Sequence, residues 1–426
     1  MGLIERATHF VTRSLVPAER VRLCGEPFFW LTGKRRKGQT ITLAEVKRLL
    51  IVRLDEIGDV VMTTPLLREF RRNLPDAWIT LVVNPAVRNL VEKCPYVNEV
   101  LTFDGTVPIS GQGPLLSTDS LRELHQRALQ FARRNLWKRD FDLAVLPRWD
   151  SDYYHGTFLA YFSGAPWRLG HADNVGRLPQ VYRGLSSLLT HVVECDPPRH
   201  EVQRNLQLIT FLGGRIESDS LELWLEEVDG AFADEVLKSH SVAPDELLIA
   251  FCIGSRIPKK IWPTRNFVEL AGWMAETYRA RIVLVGGPAD VELGNEFQEM
   301  LAKPTINLIG QTTLRQAAAL LQRCGLYVGN DSGPMHVAAA FGRPVIEVCC
   351  HPADGSPAHH NSPRRFGPWA APQIVFQPEV ALAPCVDECA AQSAHCIAGI
   401  DVEQVKREVG RRIKYEADSG SIRICD

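Results

Sequence analysis

The chain has 426 residues, enough for two domains of ordinary size, which excludes a small scaffold that needs disulfides or metals to fold. Apolar residues make up 45% and charged residues 23% of the sequence, the composition of a globular protein, so a largely disordered chain is excluded. Because 48 Lys and Arg nearly balance 50 Asp and Glu, the formal net charge is −2, which does not favour nucleic acid as a partner.

Residues 1–47 differ from the rest of the chain. Basic residues outnumber acidic ones by eight to three before Gln39. Apolar residues recur at helical spacing over 3–15, and an aromatic run at 28–30 and a basic run at 34–37 follow. The pattern fits either a helix packed on the body with a solvated charge run, or an amphipathic element with its apolar face among lipid headgroups.

From residue 48 onward, short apolar runs rich in Val, Ile and Leu alternate with helical stretches. Such runs, buried on both faces and joined by helices, are typical of a parallel β-sheet. In the first half, the predicted strands are Leu49–Val52, Trp78–Val83 and Asp142–Leu146, and the predicted helices are Val60–Asn73, Ala86–Lys93 and Tyr153–Ser163.

The same alternation restarts beyond an acidic stretch at 226–246, which we interpret as the linker between two domains. The sequence thus predicts an α/β fold with two doubly wound parallel-sheet domains, at 48–225 and 247–400, whose clefts face each other. In the second half, the predicted strands are Leu247–Cys252, Arg281–Val285, Gly325–Val328 and Val345–Val348, and the predicted helices are Asn266–Tyr278, Leu314–Arg323 and Met335–Phe341.

Eleven cysteines, an odd number, are spread over the whole chain, and no apolar signal-peptide segment opens the sequence. We therefore expect free thiols in a reducing cytoplasm. The longest apolar runs are much shorter than the ~20 residues of a membrane-spanning helix. These features predict a cytoplasmic protein that is soluble or at most peripheral to a membrane.

Ligands of doubly wound sheets bind beyond the carboxyl ends of the strands, so the loops that follow the strands are the candidate sites. After the first strand, Gly58 allows a tight turn, and Asp59 stands in the first turn of a helix with its carboxylate at the mouth of the cleft. The alternative is that Asp59 only caps that helix.

A second loop, Gly329–His336, leads into a short helix whose N-terminal N–H groups suit a diphosphate. Because Asp331 would repel phosphate, we place its carboxylate on a sugar hydroxyl or on backbone N–H groups. His336, one turn into the helix, either donates to the ligand or is an ordinary helix residue. A third loop, Gly254–Trp262, combines small residues with Lys and Arg, and it either binds phosphate oxygens or is a solvated basic loop.

Other signals are weak or absent. No Walker A sequence occurs, and no G-x-G-x-x-G follows the first strand, so an NTPase and a dinucleotide-binding enzyme are not favoured. Asp150 and Asp152 have the Asp-x-Asp spacing of metal-dependent sugar transferases, but so short a motif often arises by chance, and a helix start or an acceptor contact is the alternative. Ligand types for iron or zinc are present in the tail, although without the C-x2-C spacing of structural zinc sites, at Cys385, Cys389, His395 and Cys396.

Together these motifs resemble those of glycosyltransferase family 9, the ADP-heptose:lipopolysaccharide heptosyltransferases. The resemblance covers roughly 48–415, and its most specific part is the run Asp331–His336. The matching segments are Ile51–Pro65, Ser163–Gly170, Lys260–Pro263, Leu284–Pro288, Val328–Ala340 and Arg365–Trp369.

The resemblance implies the GT-B fold, in which two Rossmann-like domains face a cleft. It places the acceptor on the domain at 48–225 and the nucleotide sugar on the domain at 247–400, and it implies that a C-terminal helix at 401–416 returns toward the first domain. It also implies an inverting transfer without metal or other cofactor, so Asp150 and Asp152 are not needed as metal ligands.

Inverting transfer needs a base that deprotonates the acceptor hydroxyl, and positive charge that stabilises the departing diphosphate. In the resemblance, Asp59 matches the base. The expected donor-binding residues are Ser255, Lys260, Gly286, Gly287, Asp290 (or Glu292 in its place), Asp331, Ser332, Gly333 and His336, and the expected acceptor-binding residues are Arg148, Asp150 and Arg204.

We therefore expect a glycosyltransferase on the cytoplasmic side of the membrane that moves heptose, or a related sugar, from an ADP-sugar to a lipopolysaccharide core or another surface glycan. A protein acceptor, as in autotransporter heptosylation, is one alternative, supported only by the tail cysteines. A non-catalytic protein that binds nucleotide sugars is a second alternative, which the presence of Asp59 beside an intact donor signature disfavours.

Overall fold

The computed structural model describes residues 17–34, 38–106, 118–149, 152–172, 184–194, 198–386 and 391–418. Within these residues the chain forms two six-stranded sheets, one in each half, and every strand pairing is parallel. The predicted α/β fold with two doubly wound domains is therefore confirmed.

The two sheets have the same topology. In the first sheet the order is β3-β2-β1-β4-β5-β6, with β1 Arg48–Arg53, β2 Trp78–Val83, β3 Glu99–Thr102, β4 Leu143–Leu146, β5 Trp167–His171 and β6 His191–Val193. In the second sheet it is β12-β11-β10-β7-β8-β9, with β7 Leu248–Cys252, β8 Arg281–Leu284, β9 Thr305–Asn307, β10 Leu326–Asn330, β11 Val345–Val348 and β12 Gln373–Phe376. The strand order reverses between β1 and β4 and between β7 and β10, the positions at which such sheets bind ligands.

Five strands were not predicted, namely β3, β5, β6, β9 and β12. Four of them are the outer strands of the two sheets, with three or four residues each, too few for a clear periodicity. The fifth, β5, is a central strand that carries Arg168 and His171 in a fully buried position. Because of these polar residues, β5 does not stand out in the sequence as an apolar run.

Helices cover the faces of both sheets. The α-helices of the first domain are Pro17–Leu31, Ile57–Val61, Thr64–Asn73, Arg88–Val91, Thr118–Phe131, Gly156–Phe162 and Glu201–Phe211. The α-helices after residue 226 are Glu227–Ser239, Thr264–Tyr278, Val291–Leu301, Leu314–Arg323, Gly333–Ala340, Pro363–Phe366 and Val402–Asp418.

The helix predicted at Val60–Asn73 is two helices, Ile57–Val61 and Thr64–Asn73. The chain bends between them because Pro65, which has no N–H to donate, stands in the first turn of the second helix. The carbonyl of Val61, which Pro65 cannot bond, instead accepts from Thr64 Oγ1 at 2.8 Å, and the carbonyl of Met62 accepts from the side chain of Asn205 at 3.0 Å.

The acidic stretch predicted as the linker, 226–246, contains the helix Glu227–Ser239. This helix packs on Leu314–Arg323 of the second domain, and Arg315 Nε donates to Asp229 Oδ2 at 2.9 Å. The chain reaches it through a segment that runs along Thr64–Asn73, where Arg68 donates to the carbonyls of Ser218 and Ser220.

Buried arginines join the two domains. Arg315 Nη1 donates to the Asn89 carbonyl at 3.1 Å and contacts Glu92 at 2.6 Å. Arg365 Nε donates to Glu201 Oε1 at 2.9 Å, and both side chains are almost fully buried. One apolar cluster also contains residues of both domains. These contacts hold the two domains together, so that the carboxyl ends of the strands in both sheets face a common cleft.

The first and the last of the described helices lie on different domains. Pro17–Leu31 buries Ala18 and Phe29 in an apolar cluster with residues of the first domain. Val402–Asp418 packs on Thr264–Tyr278 of the second domain, and its expected return toward the first domain stays a prediction. The amphipathic spacing at 3–15 and the basic residues 35–37 lie outside the described residues. Among the described helices, none combines the length and apolarity needed to span a bilayer.

Candidate active site

A cleft of about 640 Å³ lies between the two domains, within the usual size range of small-ligand sites. The loops after β1 and β4 line one wall, and the loops after β7, β8 and β10 line the other, so both points of strand-order reversal open into it. The structure brings these predicted residues together in the lining: Asp59, Arg148, Ser255, Lys260, Gly286, Gly287, Asp290, Asp331, Ser332, Gly333 and His336.

Asp59 is the third residue of the helix Ile57–Val61, and its side chain is 22% exposed at the cleft. The N-cap of this helix is Glu56, and Asp59 Oδ1 accepts from Arg53 Nη2 at 2.7 Å. The alternative that Asp59 is the helix cap is therefore wrong.

Arg53, the last residue of β1, holds this wall together. Its buried guanidinium contacts Asp55 at 3.2 Å as well as Asp59, and it donates to the carbonyl of Pro147 after β4. Asp55 is in turn paired with Arg148. Arg53 thus fixes the position of the Asp59 carboxylate, a role that the sequence analysis missed although a buried strand ending in arginine is a signal for it.

Two glycines let the helices of the two domains touch. A Cβ on Gly58 would lie 2.5 Å from His336 Cδ2, and a Cβ on Gly333 would lie 2.7 Å from Ile57 Cβ. Gly58 is part of a helix, so it serves this close approach and not the tight turn that we expected. The contact brings the start of the helix Gly333–Ala340 beside the helix that carries Asp59.

His336 lies 3% exposed at this contact between the helices. Burial lowers the pKa of His336, although the Asp331 and Asp59 carboxylates raise it, and the balance is below the ordinary value. The neutral imidazole is therefore favoured, which has one N–H donor to offer.

Lys260 and Asp331, both expected to bind the donor, bind each other. Lys260 Nζ lies 2.6 Å from Asp331 Oδ2, and the two side chains are only 12% and 10% exposed. Burial lowers the pKa of Lys260, but Asp331, with smaller contributions from Cys350 and Cys349, raises it, and the pKa lies above its ordinary value. The cleft therefore contains a charged ammonium whose position is set by a carboxylate.

Asn330, which the sequence analysis did not select, fastens the loop that carries Lys260. Its Nδ2 donates to the carbonyl of Ile253 at 2.8 Å, and its Oδ1 accepts from the backbone N–H of Trp262 at 3.0 Å. Both ends of this loop are thus bonded to the last residue of β10. The two predicted anion-binding loops consequently form one rigid unit.

The loop after β8 contributes Asp290. Its Oδ2 accepts from the N–H of Gly287 at 3.1 Å, and a Cβ on Gly254 would lie 2.2 Å from its Oδ1. The missing side chain at Gly254 therefore makes room for this carboxylate at the cleft. Glu292 is exposed and not part of the lining, so Asp290 is the better placed of the two acidic residues considered.

Of the expected acceptor residues, Arg204 packs on Trp149. Arg204 is fully buried with its guanidinium 3.5 Å from the centre of the Trp149 ring, and it is not part of the cleft lining. Arg365, which does line the cleft, also stacks on Trp149, at 4.2 Å. Asp150 lies outside the described residues, and Asp152 accepts from the first N–H groups of the helix Gly156–Phe162, the helix-start role considered above.

The rim of the cleft carries a contact between the domains. Arg256 of the second domain contacts Glu56 of the first and donates to Tyr154 Oη at 3.2 Å. The Arg256 and Glu56 side chains are 66% and 47% exposed, so this pair is in contact with solvent, unlike the buried pairs described above.

Glu347, on β11, is a buried acid beside the donor wall. Both of its carboxylate oxygens are buried, and the Asp331, Glu347 and Cys349 ligand atoms lie within 4.8 Å of one another. Burial raises the pKa of Glu347 well above its ordinary value and Asp331 raises it further, whereas Lys260 lowers it. The protonated acid is therefore favoured.

This protonation has a consequence for stability. Below the ordinary glutamate pKa of about 4.3, both the folded and the unfolded chain hold the proton; above it only the folded chain does, so stability falls as pH rises, by up to ~1.4 kcal/mol per pH unit. Glu347→Gln should remove this loss. Urea unfolding between about pH 5 and pH 8 should show a growing advantage of the variant, whereas the exposed control Glu299→Gln should follow the wild type. Parallel curves for Glu347→Gln and wild type would contradict the assignment.

Comparisons with known proteins agree with this architecture. Residues 133–395 match the family described as Glycosyltransferase family 9 (heptosyltransferase). The chain is 29% identical to lipopolysaccharide heptosyltransferase 2 of Salmonella typhimurium over 312 residues, which cover 71% of this chain and 82% of the relative.

Two solved structures share the fold. A glycosyl transferase family 9 protein from Veillonella parvula superposes with a TM-score of 0.67 at 23% identity, covering 86% of this chain and 96% of its own. E. coli ADP-heptose lps heptosyltransferase II superposes with a TM-score of 0.61 at 23% identity, and the match covers 87% of this chain and 99% of the E. coli chain. The expected GT-B arrangement is confirmed. Since the family match extends over more than half of the chain and includes the loops of Lys260 and Asp331, the protein is a glycosyltransferase and belongs to glycosyltransferase family 9.

Proposed function

We propose that this protein transfers heptose from ADP-heptose to a lipopolysaccharide core acceptor, with inversion at the anomeric carbon and without a metal ion. The observation that carries the proposal is the cleft in which Asp59 from one domain faces Lys260 and the start of the helix Gly333–Ala340 from the other. The curated relative from Salmonella typhimurium is named for transfer to lipopolysaccharide, which favours that acceptor over a protein.

In the proposed reaction, the acceptor hydroxyl attacks the anomeric carbon of the donor. Its proton passes to the Asp59 carboxylate as the new C–O bond forms and the bond to the diphosphate breaks. The negative charge that develops on the leaving ADP is stabilised by the Lys260 ammonium and by N–H groups at the start of Gly333–Ala340. Inversion follows because attack and departure take place on opposite sides of the anomeric carbon.

The remaining residues of the donor wall have positioning roles in this proposal. Asp331 holds the Lys260 ammonium, with their contact atoms 2.6 Å apart, and its second oxygen is suited to a sugar hydroxyl. His336 is suited to donate an N–H to the ligand, and Asp290 to accept from a ribose hydroxyl. On the other wall, Arg148 and Arg365 carry the positive charge suited to an anionic acceptor.

The test is a transfer assay with purified protein, ADP-heptose and heptose-deficient lipopolysaccharide core. We expect ADP release and a product of inverted configuration by NMR, at an unchanged rate after brief treatment with EDTA, because protein groups supply the positive charge. An unglycosylated autotransporter peptide is the control acceptor and should not react. Activity abolished by EDTA and restored by Mg²⁺ or Mn²⁺, or transfer to the peptide alone, would contradict the proposal.

We also propose peripheral attachment to the inner face of the cytoplasmic membrane. The N-terminal patch, defined as Phe28, Trp30, Leu31 and Trp137, is solvent-exposed, with fractions of 49%, 69%, 75% and 45%, and Phe28 stacks on Trp137. Exposed basic side chains lie on both sides of Trp137 in the sequence, with Arg133 and Arg134 before it and Lys138 after it. Aromatic residues next to basic ones suit a surface of anionic lipid.

The double variant Trp30→Ser/Leu31→Ser tests this attachment. Burial of one large apolar side chain is worth ~1.5–3 kcal/mol, so loss of both should lower partition onto anionic vesicles at least ~10-fold. Transfer to a soluble truncated acceptor should be unchanged. Trp78→Ser, at another exposed tryptophan outside the N-terminal patch, is the matched control. Equal sedimentation of all three proteins with the vesicles would refute the attachment.

A further inference from the structure

The segment between β12 and the C-terminal helix is described at 377–386 and 391–401, and its end is packed in the core of the second domain through Ile397 and Ile400. Its described part lacks strands, and its longest regular element is the short turn Cys396–Gly399. Val380, Leu382 and Val386 are exposed, and the only buried side chains of its own small apolar cluster are Cys385 and Cys396.

Three potential metal ligands meet in this segment. The sulfurs of Cys385 and Cys396 and a ring nitrogen of His395 all lie within 4.8 Å of one another. The two cysteines are 4% and 3% exposed, so water is largely excluded around the sulfurs. From these observations we propose that Cys385, His395 and Cys396 bind a zinc ion.

The distances between the ligand atoms fit a tetrahedral zinc centre. His395 Nδ1 lies 3.7 Å from Cys385 Sγ and 3.4 Å from Cys396 Sγ. Zn–S bonds of about 2.3 Å and Zn–N bonds of about 2.0–2.1 Å at tetrahedral angles place such sulfur and nitrogen atoms about 3.5 Å apart. The site therefore needs only small shifts to accept the ion, and its fourth position is left to a further ligand.

A backbone contact orients one of the proposed ligands. The N–H of Leu382 donates to Cys396 Sγ at 3.4 Å. Hydrogen bonds of this kind hold metal ligands in position. Two thiolates and one neutral imidazole form a set that zinc prefers over magnesium or calcium.

The zinc would act on the fold and not in the reaction. None of the three residues is part of the cleft lining. The turn Cys396–Gly399 instead leads into Ile400, whose carbonyl accepts from Trp262 Nε1 at 3.2 Å, and Trp262 is two residues from Lys260. The ion would thus stabilise the segment that contacts the loop of Lys260 through Ile400 and Trp262.

The test is the metal content of the full-length, tag-free protein by mass spectrometry. We expect about one zinc per chain, lost in His395→Gln and Cys396→Ser but retained in Cys324→Ser, which changes another buried cysteine of the same domain. Absence of stoichiometric metal in the wild type, iron in place of zinc, or a Cys385–Cys396 disulfide in the intact mass would each overturn the proposal.

Cobalt substitution keeps the proposal testable if the variants fold poorly. Wild-type protein in which Co²⁺ replaces the metal should show thiolate-to-cobalt charge-transfer bands and the visible bands of a tetrahedral centre, and excess zinc should abolish them. Octahedral spectra without charge-transfer bands would overturn the assignment. This readout does not depend on transfer activity, so its failure would leave the proposed function untouched.

Discussion

Asp59→Asn should lower kcat at least ~10²-fold, within the ~10²–10⁴-fold contribution of a general base, and leave ADP-heptose affinity nearly unchanged. The substituted amide keeps an oxygen that can accept from Arg53 Nη2, so the folded structure and the melting temperature should be preserved. It cannot take up the acceptor proton as the carboxylate does. Steady-state kinetics, calorimetric donor binding and thermal unfolding together measure the three quantities.

Asp76→Asn is the matched control, since it makes the same substitution at an exposed position of the same domain and should keep wild-type kcat. If Asp59→Asn turns over at nearly the wild-type rate, the base is another group, and Asp55 and Glu56 of the same loop are the next to test. A variant that mainly loses stability would show instead that the Arg53–Asp59 contact is structural.

Lys260→Ala should weaken ADP binding about 10- to 150-fold, which corresponds to the ~1.5–3 kcal/mol of a charge-assisted contact. Calorimetry on the folded variant measures the loss. Lys259→Ala, at the neighbouring lysine that does not line the cleft, should bind ADP like the wild type. Unchanged affinity of Lys260→Ala would remove this residue from the diphosphate site.

A second variant separates the two ways in which Lys260 can act. Without the ammonium, the Asp331 carboxylate is left unpaired beside the site and would repel phosphate. The double variant Lys260→Ala/Asp331→Asn removes that repulsion. If Lys260 contacts the diphosphate directly, the double variant should stay weak; recovery to wild-type affinity would mean that Lys260 only neutralises Asp331.

The sequence predicted those parts of the molecule that local patterns determine. Trp78–Val83, Val345–Val348 and Leu314–Arg323 were predicted with the bounds that the structure has, because their apolar periodicity runs to both ends. The loops of the cleft were found because they follow such strands directly. The topology then places them at one cleft without any knowledge of side-chain contacts.

Local patterns do not predict contacts between residues that are far apart in the chain. Arg365 meets Glu201 across 164 positions, and Trp149 lies between two guanidinium groups from distant segments. The same holds for Glu347, a single acid in an apolar strand, whose pKa is raised most by burial and further by Asp331. A single sequence contains no signal that links these partners.

The ion pairs between the domains differ in how strongly dissolved salt screens them. Arg365–Glu201 is almost fully buried, so mobile ions cannot approach it, whereas the exposed Arg256–Glu56 pair at the rim is of the kind worth ~1 kcal/mol or less and is weakened within a Debye length of ~8–10 Å. Rising ionic strength consequently loosens the rim while the buried pair stays intact. The rim is therefore the part of the contact between the domains that we expect to respond to salt.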